Sequence, residues 1–150
     1  MPKARTAKHA ITTILVPTDF SEHSRPALSY AEMLAKTFDA KIVLVHVIDT
    51  VSFAVAESVQ WTELYPRLAE KIQPMLDGLI RESERKGVSA VGRVTEGVPY
   101  DQIVKAAEAA NADLIVIGTH GRTGMRHVLL GSVAERVVRL APCPVLTVRK

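Results

Sequence analysis

An α/β domain built on an open parallel sheet, with helices on both faces, is the fold class this sequence predicts. Three observations carry the prediction. Strand-like and helical segments alternate four times before a closing strand. The strand segments K-I-V-L-V-H-V-I and D-L-I-V-I-G are nearly continuous in apolar residues, as strands covered on both faces must be. The 150 residues, 47% hydrophobic and 23% charged, supply enough apolar surface for one buried core, and positions 1–150 are expected to form a single domain.

The β-branched run at 11–17, I-T-T-I-L-V-P, stops at Pro17 and predicts the first strand. Ala27, Leu28, Ala31, Leu34, Ala35 and Phe38 then recur at three- and four-residue steps and form one helical stripe. Ser21 or Ser24 is placed to cap that helix, with Pro26 in its first turn. Residues 41–48 predict the second strand, and 49–60 have no clean period and read as a connection. A helix follows from Trp61 to Lys86, with Leu64, Leu68, Ile72, Met75, Leu79 and Ile80 inward. Pro66 is expected in its first turn, Pro74 at a kink, and Gly87 at its end. The third strand is weaker, at 88–95. Pro99 to Ala110 is helical with Ile103, Val104 and Ala107 inward, closed by Asn111. Residues 113–118 are the strongest strand, Ser132 to Leu140 the last helix before Pro142, and Val145 to Val148 the last strand. Right-handed crossovers bring all strand C-termini to one end of the sheet, where ligands of such folds bind.

Composition narrows the partners. The net charge of +3 and pI near 9.2 are only mildly basic. Part of the excess lies in Lys3, Arg5 and Lys8 of residues 1–10, a loose basic tail. Aromatics at 5% are too few for a base-stacking platform, so no nucleic-acid partner is expected. A single cysteine, Cys143, fits a reducing cytoplasm and reads as a small buried hydrophobe. No apolar run approaches the roughly 18–20 residues needed to span a bilayer, so no membrane partner is expected. The N-terminus turns polar too soon for a signal peptide.

The stretch with chemical content is Gly118-Thr119-His120-Gly121-Arg122-Thr123-Gly124, continuing to Gly131-Ser132. Gly118 follows the strongest strand, and Gly131-Ser132 opens a helix. Glycines there permit positive φ and let an anion approach the main chain. The helix N-terminus adds unpaired N–H groups and a positive dipole end. Ser132 is placed to donate a hydroxyl to that anion or to serve only as an N-cap. The pattern lacks the G-K-[ST] of a Walker loop, and the first strand–helix turn has no dinucleotide glycine fingerprint.

Glycine, two residues, glycine, nine residues, glycine, serine falls on Gly118, Gly121, Gly131 and Ser132. With Pro17-Thr18-Asp19, His46-Val47-Ile48-Asp49 and the closing P-C-P-V-L-T-V-R, this pattern resembles the ATP-binding branch of the universal stress protein family, over nearly the whole chain. The resemblance implies a Rossmann-like sheet of the adenine nucleotide alpha hydrolase type, in strand order 3-2-1-4-5, with Asp19 and Gly118 side by side. It implies that Asp19 lies beside a nucleotide and that Val47 meets adenine through its backbone. It also implies a homodimer joined through edge strand 145–149.

On that basis the cofactor-binding set is Pro17, Thr18, Asp19, Val47, Ile117, Gly118, Gly121, Arg122, Gly124, Gly131, Ser132 and Val133. Val47 would read the adenine edge, and Ile117 and Gly118 would border the ribose. Gly121, Gly131, Ser132 and Val133 would hold phosphates. Asp19 is either part of this site or a cap for the following turn. Arg122, Arg126 and His127 either neutralise phosphates or belong to a solvated loop. His46 and His120 read as structural or surface groups, without metal-ligand spacing. The expected cofactor is ATP, with ADP and AMP left open, and Mg²⁺ or Mn²⁺ carried by the nucleotide. Three functions compete: a nucleotide-dependent regulatory module of the stress response with an unidentified protein partner, a slow ATPase or phosphoryl- or adenylyl-transferring enzyme, and a dimeric adaptor with a structural nucleotide. No nucleophile–base pair is visible, so at most weak ATPase activity and no catalytic residue are expected.

Overall fold

The computed structural model describes residues 10–54, 61–121, 127 and 129–150. Along them run β1 (Thr13–Pro17), α1 (Arg25–Phe38), β2 (Lys41–Asp49), α2 (Thr50–Ala54), α3 (Trp61–Arg85), β3 (Ala90–Gly97), α4 (Pro99–Ala109), β4 (Leu114–Gly118), α5 (Ser132–Leu140) and β5 (Val145–Val148). The strands form one parallel sheet in the order β3-β2-β1-β4-β5, as the resemblance implies.

Alternation along the strands divides the core into two layers. Ile14, Val16, Ile42 and Leu44 face α1 and α3, where Ala27, Ala31, Ala35 and Leu76 meet them. Leu15, Val45, Ile115 and Ile117 face α4 and α5, against Ile103, Ala107, Ala134 and Val137. The three alanines of α1 let that helix sit close to the sheet. Buried Glu32 pins α1 to α3, accepting from Ser83 Oγ at 2.7 Å and Lys86 Nζ at 2.7 Å. The Glu32 carboxylate in turn holds the Lys86 ammonium above its ordinary pKa.

Several local expectations are corrected. Residues 50–54 are a short helix, because Asp49 Oδ1 accepts from the N–H of Val51 and Ser52 and so caps it; residues 55–60 lie outside the described set. Pro66 and Pro74 both sit inside α3, on its exposed side, where water can satisfy the carbonyls they orphan. Leu76 is fully buried in α3, and Met75 is 50% exposed, one residue out of phase with the predicted stripe. The third strand begins at Ala90, since the N–H of Val88 is spent on Ser83 C=O in the turn around Gly87. Gly87 has φ +83°, as a helix stop requires. Asn111 (φ 47°) ends α4, and Asp39 (φ 54°) does the same for α1. Cys143 is half-buried on the α4–α5 layer, and burial pushes its thiol pKa up.

Asp113 ties the N-terminal ends of β1 and β4 together. Its Oδ2 accepts from Thr12 N–H at 2.9 Å, Thr12 Oγ1 at 2.9 Å and Thr13 N–H at 3.0 Å. Burial works to raise its pKa, and the three hydrogen bonds outweigh burial, so the carboxyl titrates below its ordinary value. A depressed pKa contributes stability that is present above the unfolded value, about 3.9, and lost as pH falls through the folded one. Asp113→Asn is therefore expected to cost on the order of 1 kcal/mol at pH 7. The gap to wild type should close below about pH 4, as read from urea midpoints across that range.

Candidate functional site

The site begins where β1 leaves the sheet. Its pairing with β2 runs from Thr13↔Lys41 to Pro17↔Val45, and Thr18 N–H donates one last bond to Val45 C=O at 2.8 Å. β2 continues to Asp49 alongside β3. Lys41 and Val45 turn their peptide groups toward β1. Val47 has the same parity, so its N–H and C=O point into the space that β1 has vacated. On the other flank, β1–β4 pairing ends at Leu15↔Ile115, and Pro17 has no N–H with which to extend it. β4 continues to Gly118, paired with Val148 of β5. A crevice therefore opens between β2 and β4 at the C-terminal end of the sheet, the switch point of this topology.

The segment from Thr18 to Ser24 forms one wall. Thr18 is buried; its Oγ1 accepts from Phe20 N–H at 3.1 Å and bonds Ser24 Oγ at 3.3 Å. Phe20 has φ 62°, a left-handed conformation uncommon for an aromatic residue. The ring of His46 lies against it, centroids 4.7 Å apart, and His46 Nδ1 bonds Thr18 C=O at 2.8 Å. Asp19 Oδ1 accepts from Ser21 N–H at 2.9 Å and from Ser21 Oγ, so the carboxylate holds this turn. Ser24 precedes α1 without capping it by its side chain, because its hydroxyl donates to Ser21 C=O at 2.9 Å.

Gly118 to Gly121, with Gly131 and the start of α5, form the other wall, and these glycines serve close packing. A Cβ at Gly118 would lie 2.7 Å from His23 C=O, and one at Gly121 would lie 3.2 Å from Asp19 Oδ2. A Cβ at Gly131 would lie 3.0 Å from Thr119 C=O. Positive φ, the expected reason for these glycines, is found among the described glycines only at Gly87 and Gly97. Gly131 N–H donates to Thr119 C=O at 2.6 Å and Thr119 N–H to Val148 C=O at 2.9 Å, which closes the loop at its base. Gly131, with extended backbone, is the N-cap of α5, which corrects the N-cap reading of Ser132. Ser132 is the exposed first residue of the helix, and Val133 packs half-buried on the core beside buried Ile117. Glu135 N–H is bonded to Gly131 C=O, and the N–H groups of Ser132, Val133 and Ala134 belong to the first turn, which has no intrahelical acceptors.

Pro17, Thr18, Asp19, Val47, Ile117, Gly118, Gly121, Gly131, Ser132 and Val133 thus line or support one end of the sheet. Arg122 and Gly124, with Thr123 and Arg126, lie outside the described residues; His127 is exposed. His46 is structural, as expected, and more than that: it ties β2 to the Thr18 turn, which no sequence pattern announces. Thr119 closes the glycine loop through its main chain, which side-chain chemistry could not signal. Trp61 donates its Nε1–H to Glu96 and stacks against Tyr65 at 6.1 Å. Among the described residues no cluster of three metal-ligating side chains occurs, and no helix is long and apolar enough to cross a membrane. A cleft of about 450 Å³ lies at the opposite end of the strands, among Lys36, Asp39, Lys41 and Ser89, away from these main-chain groups.

The model of the Universal stress protein family matches residues 10–149. The chain belongs to that family. As a universal stress protein it is 40% identical to universal stress protein MJ0531 of Methanocaldococcus jannaschii over 147 residues, 97% of this chain and 86% of the relative. The solved structure of protein MJ0577, from the same organism, superposes with a TM-score of 0.86 at 33% identity, covering 94% of this chain and 97% of that one. A universal stress protein solved in complex with cAMP is 26% identical, with a TM-score of 0.70 over 93% of this chain and 98% of that one.

In this universal stress protein the first glycine of the motif packs against a backbone carbonyl, that of His23, 2.7 Å from where a Cβ would lie. Gly118→Ala is expected to destabilise the fold by about 1–3 kcal/mol through overpacking against His23. Exposed Ser132→Ala should stay within about 0.5 kcal/mol of wild type. Thermal or urea denaturation of the two variants checks the contrast.

Proposed function

We propose that this chain binds an adenine nucleotide, ATP with its divalent ion, in the crevice between β2 and β4, and works as a nucleotide-dependent regulatory module of the stress response. The observation that carries this reading is a set of main-chain groups pointing into one crevice end. Val47 offers an adjacent N–H and C=O, the complement of the acceptor and donor along the adenine edge. Across the crevice, the first turn of α5 offers unpaired N–H groups and a positive dipole end to phosphates. Gly121 and Gly131 keep the loop close enough for such an approach. Ile117 and Gly118 are proposed to border the ribose, and Ser132 Oγ to add a phosphate donor. Arg122 and Gly124 are proposed as further loop contacts. The cAMP complex of a relative supports the adenine nucleotide class. The magnesium ion is proposed to ride on the phosphates. Binding is favoured over turnover, because the Asp19 carboxylate is engaged by Ser21. A single domain and a cytoplasmic location belong to the same proposal.

Two protomers are proposed to join through β5. Its residues Leu146 and Val148 bond toward β4, so Val145 and Thr147 turn their peptide groups outward at the sheet edge. Val138 and Leu140 of α5 and Leu146 of β5 are apolar and exposed. Thr147→Pro removes an outward N–H without removing a rung to β4. Sedimentation should show a dimer for wild type at micromolar concentration and a monomer for the variant; a monomeric wild type overturns the dimer.

Calorimetric titration with Mg²⁺-ATP, ADP and AMP tests the nucleotide itself. Micromolar binding is expected, weakened about three- to tenfold in Ser132→Ala, roughly 0.7–1.4 kcal/mol for one hydroxyl donor. Wild-type protein freed of nucleotide and silent to all three ligands would overturn the reading.

A further inference from the structure

In an unbroken parallel ladder the C=O of Thr18 would accept the N–H of Val47, two residues beyond the Val45 C=O that accepts from Thr18 N–H. In this structure that rung is not formed, and a side chain bonds the Thr18 C=O instead. His46 is buried, and its Nδ1 lies 2.8 Å from Thr18 C=O. A carbonyl only accepts, so the proton is on Nδ1. The ring packs on Phe20, whose left-handed backbone turns the chain away from β2 directly after Asp19. The His46 side chain lies on the α1/α3 face with Ile42 and Leu44, whereas Val43, Val45 and Val47 belong with the opposite layer. The imidazole therefore reaches the crevice side of β2 through its bond to Thr18 C=O.

We infer that His46 is a positioning residue that sets base recognition: by holding Thr18 C=O toward the α1/α3 face it stops the β1–β2 ladder one rung early and keeps Val47 N–H available to the adenine edge. This rests on the nucleotide reading above and names the part of it that selects the base. Without the imidazole donor, Val47 N–H closes onto Thr18 C=O, the ladder gains a rung, and the base loses its donor while the phosphate end of the site is untouched. His46→Phe keeps a ring against Phe20 and removes the donor. His46→Asn keeps an N–H close to the position of Nδ1.

The test pairs ligand binding with amide hydrogen exchange. In wild type, the Val47 amide should exchange freely without ligand and become protected by Mg²⁺-ATP. In His46→Phe it should be protected without ligand. ATP affinity should fall about tenfold, with the affinity for inorganic tripolyphosphate unchanged, and His46→Asn should recover most of the loss. A Val47 amide already protected in ligand-free wild type overturns the inference even if His46→Phe does not fold. Equal loss of ATP and tripolyphosphate overturns it also, since that is the mark of a general structural role. If wild type binds ATP and His46→Phe binds it equally well, this inference alone falls. If wild type binds no adenine nucleotide, the nucleotide reading falls and this inference with it.

Discussion

The early exit of β1 from the sheet is the constraint on which the rest of this structure depends. Pro17 withholds the N–H that would continue pairing with β4, and the Thr18 turn carries the chain off β2 while β2 runs on to Asp49. Both neighbours of β1 therefore outlast it. Their terminal peptide groups face a gap instead of a strand, and buried peptide groups without partners are costly in a folded protein. A parallel sheet whose central strand stops first thus leaves main-chain donors and acceptors at that end to be met by water or a ligand. The crossovers that bury both faces also send α1 and α5 away from this end, leaving it open.

The glycines of the motif take on a meaning different from flexibility. Gly118 sits against the carbonyl of His23, Gly121 against the carboxylate of Asp19, and Gly131 against the carbonyl of Thr119. Each contact brings the β4 loop onto the β1 turn or onto its own base. Close approach at Gly118, Gly121 and Gly131 fixes both ends of this segment, and with them the start of α5. A glycine motif of this kind encodes close approach between backbones first.

Most of the fold was legible because apolar periodicity reports burial directly. The all-buried β1 and the near-all-buried β4 read as two-sided strands, and α1 showed its stripe of alanines. Residues 50–54 were not legible as a helix, since one aspartate cap, and no apolar stripe, forms them. In α3 the stripe was misplaced by one residue at Met75 and Leu76, because the helix meets the sheet mainly through its second half, where buried Leu76 and Ser83 lie. At the site, the glycine spacing and Pro17-Thr18-Asp19 pointed to the end of the sheet where β1 stops short of its neighbours. The role of His46 was hidden, because it depends on which of two donors reaches one carbonyl across strands, and no local pattern records that choice.

The crevice is made chiefly of main chain, and that bears on what kind of function suits it. Val47, the first turn of α5 and the loop around Gly121 offer peptide groups whose chemistry does not vary with residue type. Recognition then rests on where those groups are held, and the side chains doing the holding are His46, Thr18, Ser21, Ser24 and Asp19, bonded mostly to one another or to backbone. Efficient phosphoryl transfer needs a group that orients the attacking atom and another that meets the developing charge. Among the described residues, the Thr18–Ser24 wall is built of interlocked hydroxyls and one turn-holding carboxylate. At this end of the sheet the described main-chain donors are therefore held by a network of side chains rather than by residue-specific contacts of their own.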